Sequence, residues 1–87
     1  MKRVIWMAIK FYVGTNCGLC EDAKIQIEFF KESYDHEIKI DTINIEEDDT
    51  LLEKYMLRIP VVEYEGQVLQ EGNIDFITLT ETYNQMK

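Results

Sequence analysis

The chain is short of most things that would tie it to a special class. Among its 87 residues there is one proline, one histidine, one tryptophan, four glycines and two cysteines. With so little proline, no internal repeat and no low-complexity stretch, a composition that is 46% hydrophobic and 30% charged predicts an ordered globular domain spanning residues 1–87. Two cysteines close at most one short loop, which restrains the unfolded chain little, so the core has to supply most of the stability. Basic residues are also scarce, 9 against 17 acidic ones, for a net charge of −8. That balance excludes a nucleic-acid groove, which needs a Lys/Arg face to neutralise phosphates, and disfavours an anionic membrane surface. The acidity reads as a source of solubility. No apolar run approaches the ~20 residues of a membrane span. Val4 to Ile9 imitates a signal-peptide core, but Lys10 ends the run after six residues, short of the about 7–15 that such a core needs. A soluble cytoplasmic protein is expected.

What is present in concentrated form is Gly14-Thr15-Asn16-Cys17-Gly18-Leu19-Cys20-Glu21-Asp22, which holds both cysteines in C-x-x-C spacing. In a reducing compartment such a pair points to redox or metal chemistry rather than to a structural bridge. Zinc requires four ligands, and His36 is the sole histidine. That argues against an intramolecular structural zinc site, and a site shared across a dimer stays open.

The pattern around the pair alternates strand and helix. Val4 to Val13 is rich in β-branched and aromatic residues and, Lys10 aside, apolar throughout, as suits a central strand covered on both faces. From Gly18 to about Tyr34 the period is helical, with Leu19, Ala23, Ile27, Phe30 and Tyr34 on the inner face and Ile25 and Phe29 on a flank, set to pack on another helix or a partner. Ile38 to Ile45 alternates with a slip near Thr42 and reads as a second strand. The acidic run Glu46 to Asp49 reads as a solvated loop leading into a helix over Thr50 to Leu57, which ends ahead of Pro60. Met56 stands where a helix-ending glycine would be comfortable, and a left-handed backbone there would strain it. Val61-Val62-Glu63-Tyr64 and Gln67-Val68-Leu69-Gln70 flank Glu65-Gly66 as a hairpin. Gly72-Asn73 supplies a last helix start, with Asn73 as N-cap, Asp75 in the first turn, and Phe76, Leu79, Thr80 and Tyr83 facing inward. The order is βαβ followed by ββα, with a right-handed parallel crossover in the first unit. Trp6 reads as a core residue of the first strand, and His36 as a surface residue.

Taken together, a strand leading into Cys17-Gly18-Leu19-Cys20, the segment Leu57-Arg58-Ile59-Pro60-Val61, and Glu71-Gly72-Asn73-Ile74-Asp75 opening the last helix resemble the thioredoxin superfamily, and within it the small glutaredoxin-like domains. The resemblance covers nearly the whole chain. It implies an α/β thioredoxin-like (glutaredoxin-like) fold, a four-stranded mixed sheet with three helices, with Pro60 in cis facing the first cysteine. It also implies glutathione as a co-substrate, its backbone held at Ile59 and its γ-glutamyl carboxylate at Gly72, Asn73 and Asp75. A helix N-terminus suits a carboxylate through its free N–H groups and dipole. Arg58, two residues before the proline, would then lie near the cysteines. The chain departs from typical glutaredoxins in lacking a lysine before the active loop, in carrying Gly18-Leu19 where Pro-Tyr is usual, and in having Gly72 alone where paired glycines are common.

The chemistry expected of the pair is thiol–disulfide exchange. Cys17 attacks a disulfide as its thiolate, and Cys20, one turn into the helix, resolves the mixed disulfide. No bound cofactor or metal is required. The helix N-terminus favours the thiolate, Glu21 and Asp22 oppose it, and Arg58 is the candidate to restore positive charge. Partners would be a disulfide-containing protein or glutathione, with a thioredoxin-reductase-type protein as a further electron source. The rival expectation is a redox-inactive or regulatory binding module on the same fold, because a fold does not fix a function.

Overall fold

The computed structural model describes residues 8–86. The expectations placed on Val4 to Met7, including the core role of Trp6, lie outside the described residues. The elements follow the order β1 (Ile9–Val13), α1 (Gly18–Glu32), β2 (Ile40–Asn44), α2 (Asp49–Tyr55), β3 (Val61–Tyr64), β4 (Gln67–Glu71) and α3 (Phe76–Met86), with a 3-10 turn at Ile45–Glu47 before α2. The four strands form one mixed sheet in the order β2-β1-β3-β4. β1 pairs parallel with β2, placing Phe11 opposite Thr42, and antiparallel with β3, placing Phe11 opposite Val62. β3 and β4 close a hairpin through Glu65 and Gly66, whose φ angles of 52° and 82° match the twist of a tight two-residue turn.

The sheet has a core on each face. Ile9, Phe11 and Val13 of β1 join Ala23, Ile27 and Phe30 of α1 and Leu79 and Tyr83 of α3 on one side. Tyr12, pointing the other way, joins Ile45, Tyr55 and Val61 under α2. The apolar run of β1 is thus explained by helices on both faces of a central strand. Tyr12 stacks on Tyr55 with ring centroids 4.6 Å apart and donates its hydroxyl to Glu63 at 3.0 Å, so its own polar end is satisfied.

Several local expectations move by a residue or two. α1 turns Cys20, Ala23, Ile27 and Phe30 inward, and Leu19 is 51% exposed. One position corresponds to about 100° around a helix, so a start at Gly18 that seats Cys20 on the sheet swings Leu19 outward. Phe29 does meet the neighbouring helix, its ring 5.6 Å from that of Phe76, while Ile25 stays exposed. β2 is shorter than the alternating pattern, because Ile38 is buried before the strand begins and Ile45 turns into the 3-10 segment. As an outer strand, β2 is held to a strict alternation less tightly than a central one. In the acidic run, Asp48 caps α2, its carboxylate accepting from the backbone N–H of Thr50 at 2.8 Å and of Leu51 at 3.2 Å. α2 ends at Tyr55, and Met56 keeps an ordinary right-handed backbone at φ −58°, so the strain expected there is absent. Its carbonyl-side turn closes instead through Arg58 and Ile59, whose N–H groups both donate to the Tyr55 carbonyl.

The start of α3 also differs. Gly72 takes φ 81°, Asn73 donates its N–H to the Glu71 carbonyl, and the helix begins only at Phe76. Asp75 is the cap, accepting from the Thr78 N–H at 3.0 Å. Ile74 is 4% exposed and Leu79 wholly buried in the same core, the two positions of a hydrophobic staple around that cap. Burying Ile74 is what pushes the cap from Asn73 to Asp75.

Candidate redox site

The C-terminal end of β1, the N-terminal end of β3 and the C-terminal end of β4 lie at the same end of the sheet, because β3 runs against both neighbours. The three segments singled out from the sequence follow or precede these ends, so the strand pairing brings them together. Cys17 and Cys20 are joined in a disulfide across a Cα–Cα distance of 5.1 Å. Cys17 is the N-cap of α1, in extended conformation, and its Sγ accepts the Cys20 N–H at 3.1 Å. Cys20 is 2% exposed and belongs to the core, whereas Cys17 is only half-buried. A disulfide or thiol arriving from solvent therefore meets the Cys17 sulfur, with Cys20 behind it.

The loop before Cys17 is pinned by the Thr15 N–H, which donates to the Glu46 carboxylate at 2.8 Å. Asn16 adopts φ 55°, a left-handed conformation that asparagine tolerates better than most residues. Gly14 lies against Ile59: a Cβ at that position would stand 2.5 Å from Ile59 Cδ1. The first loop and the residue before the proline thus touch. The Ile59–Pro60 peptide is cis, and the Pro60 carbonyl accepts the Gly72 N–H at 2.8 Å, tying the second segment to the third.

The charges of the third segment are spent internally. Arg58 grips Glu71 through two nitrogens, Nη2 to Oε1 at 2.7 Å and Nε to Oε2 at 3.2 Å, and its guanidinium lies 5.1 Å from the centre of the Tyr55 ring. Its positive charge is neutralised by this partner rather than left for the Cys17 sulfur. The hydrogen bonds and charge of Arg58 hold the Glu71 carboxyl below the usual carboxylate range. The Thr78 N–H, followed by the side chain of Gln70, does the same for Asp75. Groups with lowered folded-state values stabilise the fold above the ordinary carboxylate range near pH ~4 and lose that contribution as pH falls through their lowered values. In melts recorded across acid pH, the wild type should therefore lose its advantage over D75N and E71Q progressively below about pH 4. A gap in melting temperature that stays constant from neutral pH to pH ~2 would sink this assignment.

A central strand feeding a partly buried N-cap cysteine, a buried second cysteine and a cis-proline ahead of β3 are the features of a protein of the thioredoxin superfamily. More narrowly, the chain belongs to the glutaredoxin-like domain family (DUF836), whose model matches residues 8–84. Among solved structures it is similar to target protein XcR50 from X. campestris, at 22% identity over 90% of this chain and 97% of that one, with a TM-score of 0.71. It is also similar to thioredoxin 1 from the thermophilic eubacterium Thermosipho africanus, at 18% identity over 92% and 93% of the two chains, with a TM-score of 0.63. Thioredoxin-2 of the malaria parasite follows at 11% identity over 90% and 81%, with a TM-score of 0.65. At these identities the likeness establishes the fold. No curated protein sequence matches the chain. Among the described residues no helix is long and apolar enough to cross a membrane.

Sequence reasoning missed Glu71, Gln70, Gln26 and Glu46 as neighbours of the site. Gln26 reaches from α1 to accept the Phe76 N–H at 2.9 Å, and Gln70 accepts the Asp75 N–H at 3.0 Å. The partners of Gln26, Glu46 and Glu71 lie 50, 31 and 13 residues away, and no local pattern announces such pairs; the Gln70–Asp75 bond, five residues apart, is the local exception.

Proposed function

We propose that the protein is a thiol–disulfide oxidoreductase in which Cys17 is the nucleophile and Cys20 the resolving thiol. The observation that carries this reading is the asymmetry of the pair: Cys17 is only partly buried at a helix N-terminus and its Sγ accepts an N–H, while Cys20 is buried one turn inside. The N–H donor and the helix dipole both favour a thiolate on Cys17. In the reducing direction, Cys17 Sγ attacks one sulfur of a substrate disulfide, forming Cys17–S–S–R and expelling the other half as a thiolate that takes up a proton. Cys20 then loses its proton and attacks Cys17 Sγ, releasing the second thiol and leaving the Cys17–Cys20 disulfide, so that two electrons pass to the substrate. Ile59 and Pro60 form the wall along which the substrate chain lies, with Arg58 and Gly72, Asn73 and Asp75 at its rim. Proline has no N–H, so a substrate carbonyl finds no competing donor there. The dithiol needs re-reduction by a thiol pool or a reductase-type partner, which suits a cytoplasmic setting.

A neutral model substrate tests this. The reduced protein should release two equivalents of mercaptoethanol from hydroxyethyl disulfide and become oxidised at Cys17–Cys20, as read by mass spectrometry. Persistence of both free thiols under excess disulfide would instead favour the binding-module reading.

A further inference from the structure

We infer that Glu71 and Asp75 make this dithiol selective against anionic thiols and disulfides, glutathione disulfide among them, and favour neutral and cationic disulfide segments. The inference rests on the exchange reaction proposed above and concerns what that reaction accepts. Two elements at the rim would ordinarily hold a carboxylate. One is Arg58, and Glu71 already occupies it in a bidentate pair with an Nη2–Oε1 distance of 2.7 Å. The other is the N-terminus of α3, whose first N–H groups are also taken. Phe76 donates to Gln26 at 2.9 Å, and Thr78 donates to Asp75 at 3.0 Å. Gln70 secures this arrangement by accepting the Asp75 N–H and donating to its Oδ2 at 3.2 Å.

An incoming carboxylate would have to displace a covalently tethered one at each place, with no gain in hydrogen bonds and a repulsion from the carboxylate it displaces. Of the remaining charge around the pair, Glu21 is matched by Lys24 at 3.2 Å, and the unmatched groups Asp22 and Glu46 are negative. Glu21 and Asp22 lie at the start of α1, and Glu46 holds the Thr15 N–H beside the first cysteine. Across residues 14–22, 56–60 and 71–75 Arg58 is the sole cation in the sequence, and it is neutralised. A field of one sign around a cleft raises the encounter rate of opposite charges and lowers that of like charges, and it weakens with salt.

The step affected is the first one, attack of Cys17 Sγ on the incoming disulfide with departure of one substrate thiolate. Glu71 is a specificity-determining residue acting through Arg58, and Asp75 one acting through the α3 N–H groups.

The test uses three model disulfides with the full reduced chain: cystamine, a dication; hydroxyethyl disulfide, neutral; and dithiodipropionate, a dianion. Each rate is divided by that of free mercaptoethanol with the same disulfide, which removes intrinsic reactivity. The expected order is dication, neutral, dianion, with about a tenfold span or more at low ionic strength that narrows at high salt. E71Q, which frees the Arg58 charge, should raise the dianion-to-neutral ratio several-fold, and the double variant R58Q/E71Q should lose that gain. Circular dichroism of each variant separates a folding failure, and the wild-type charge series stands whatever the variants do. Equal normalised rates for the three disulfides, or a preference for the dianion, would overturn the selectivity while leaving the exchange reaction intact. No reaction with any of them would overturn the exchange reaction itself.

Discussion

Cys17→Ser will abolish disulfide exchange, by at least about a thousandfold, because an alcohol at this position is neither ionised near neutral pH nor able to form a mixed disulfide. Cys20→Ser will behave differently. Cys17 retains its cap position and its exposure, so the first attack survives and the mixed disulfide accumulates for want of a resolving thiol. Mass spectrometry after mixing with a model disulfide should show one adduct on C20S and none on C17S. The opposite pattern, an adduct carried at Cys20, would mean that the buried sulfur is the one that reacts and that the burial seen here does not govern access. A modest drop in both variants would remove the division of labour altogether.

Phe30→Ala should be the most damaging substitution in the fold. The ring is fully buried and meets Tyr34 and Tyr83 edge-on, at centroid distances of 5.4 and 5.5 Å. Removing a buried phenylalanine costs about 3–5 kcal/mol through lost transfer energy and the cavity left behind. A domain of this size shifts its melting temperature by roughly 4–8 °C per kcal/mol, so a drop of about 12 °C or more is expected. A thermal melt or a denaturant titration at constant m-value will read it. A change of less than about 1 kcal/mol would show that the α1–α3 layer does not carry the core described above.

Much of the architecture could be read from the chain because its signals are local and mutually consistent. The hairpin announced itself through Glu65-Gly66 between two strand patterns, and α1 through its three-and-four spacing. The order of elements then left few topologies. What was misread turned on competition between neighbours. Asn73 and Asp75 are both good caps, and the burial of Ile74 decided between them. Leu19 and Cys20 are both apolar, and the seat of Cys20 on the sheet decided which faces out. At the site, the cysteines and the proline were legible because their types are rare in this sequence. The state of Arg58 was not, since its partner Glu71 lies 13 residues away across the β3–β4 hairpin. A single sequence carries the identity of both groups but not the pairing of strands that sets them face to face.

The antiparallel hairpin has one more consequence. Val61 pairs with Glu71 at the end that bears the dithiol, and Tyr64 pairs with Gln67 at the other, where Glu65 and Gly66 are exposed in their turn. The molecule therefore carries its dithiol at one pole and an exposed turn at the other, separated by the length of the sheet. Surface turns of this kind accept insertions better than paired strands do. A peptide tag, a fluorophore or a tether grafted between Glu65 and Gly66 would hold the protein by the pole opposite Cys17 and Cys20 and leave the dithiol end free.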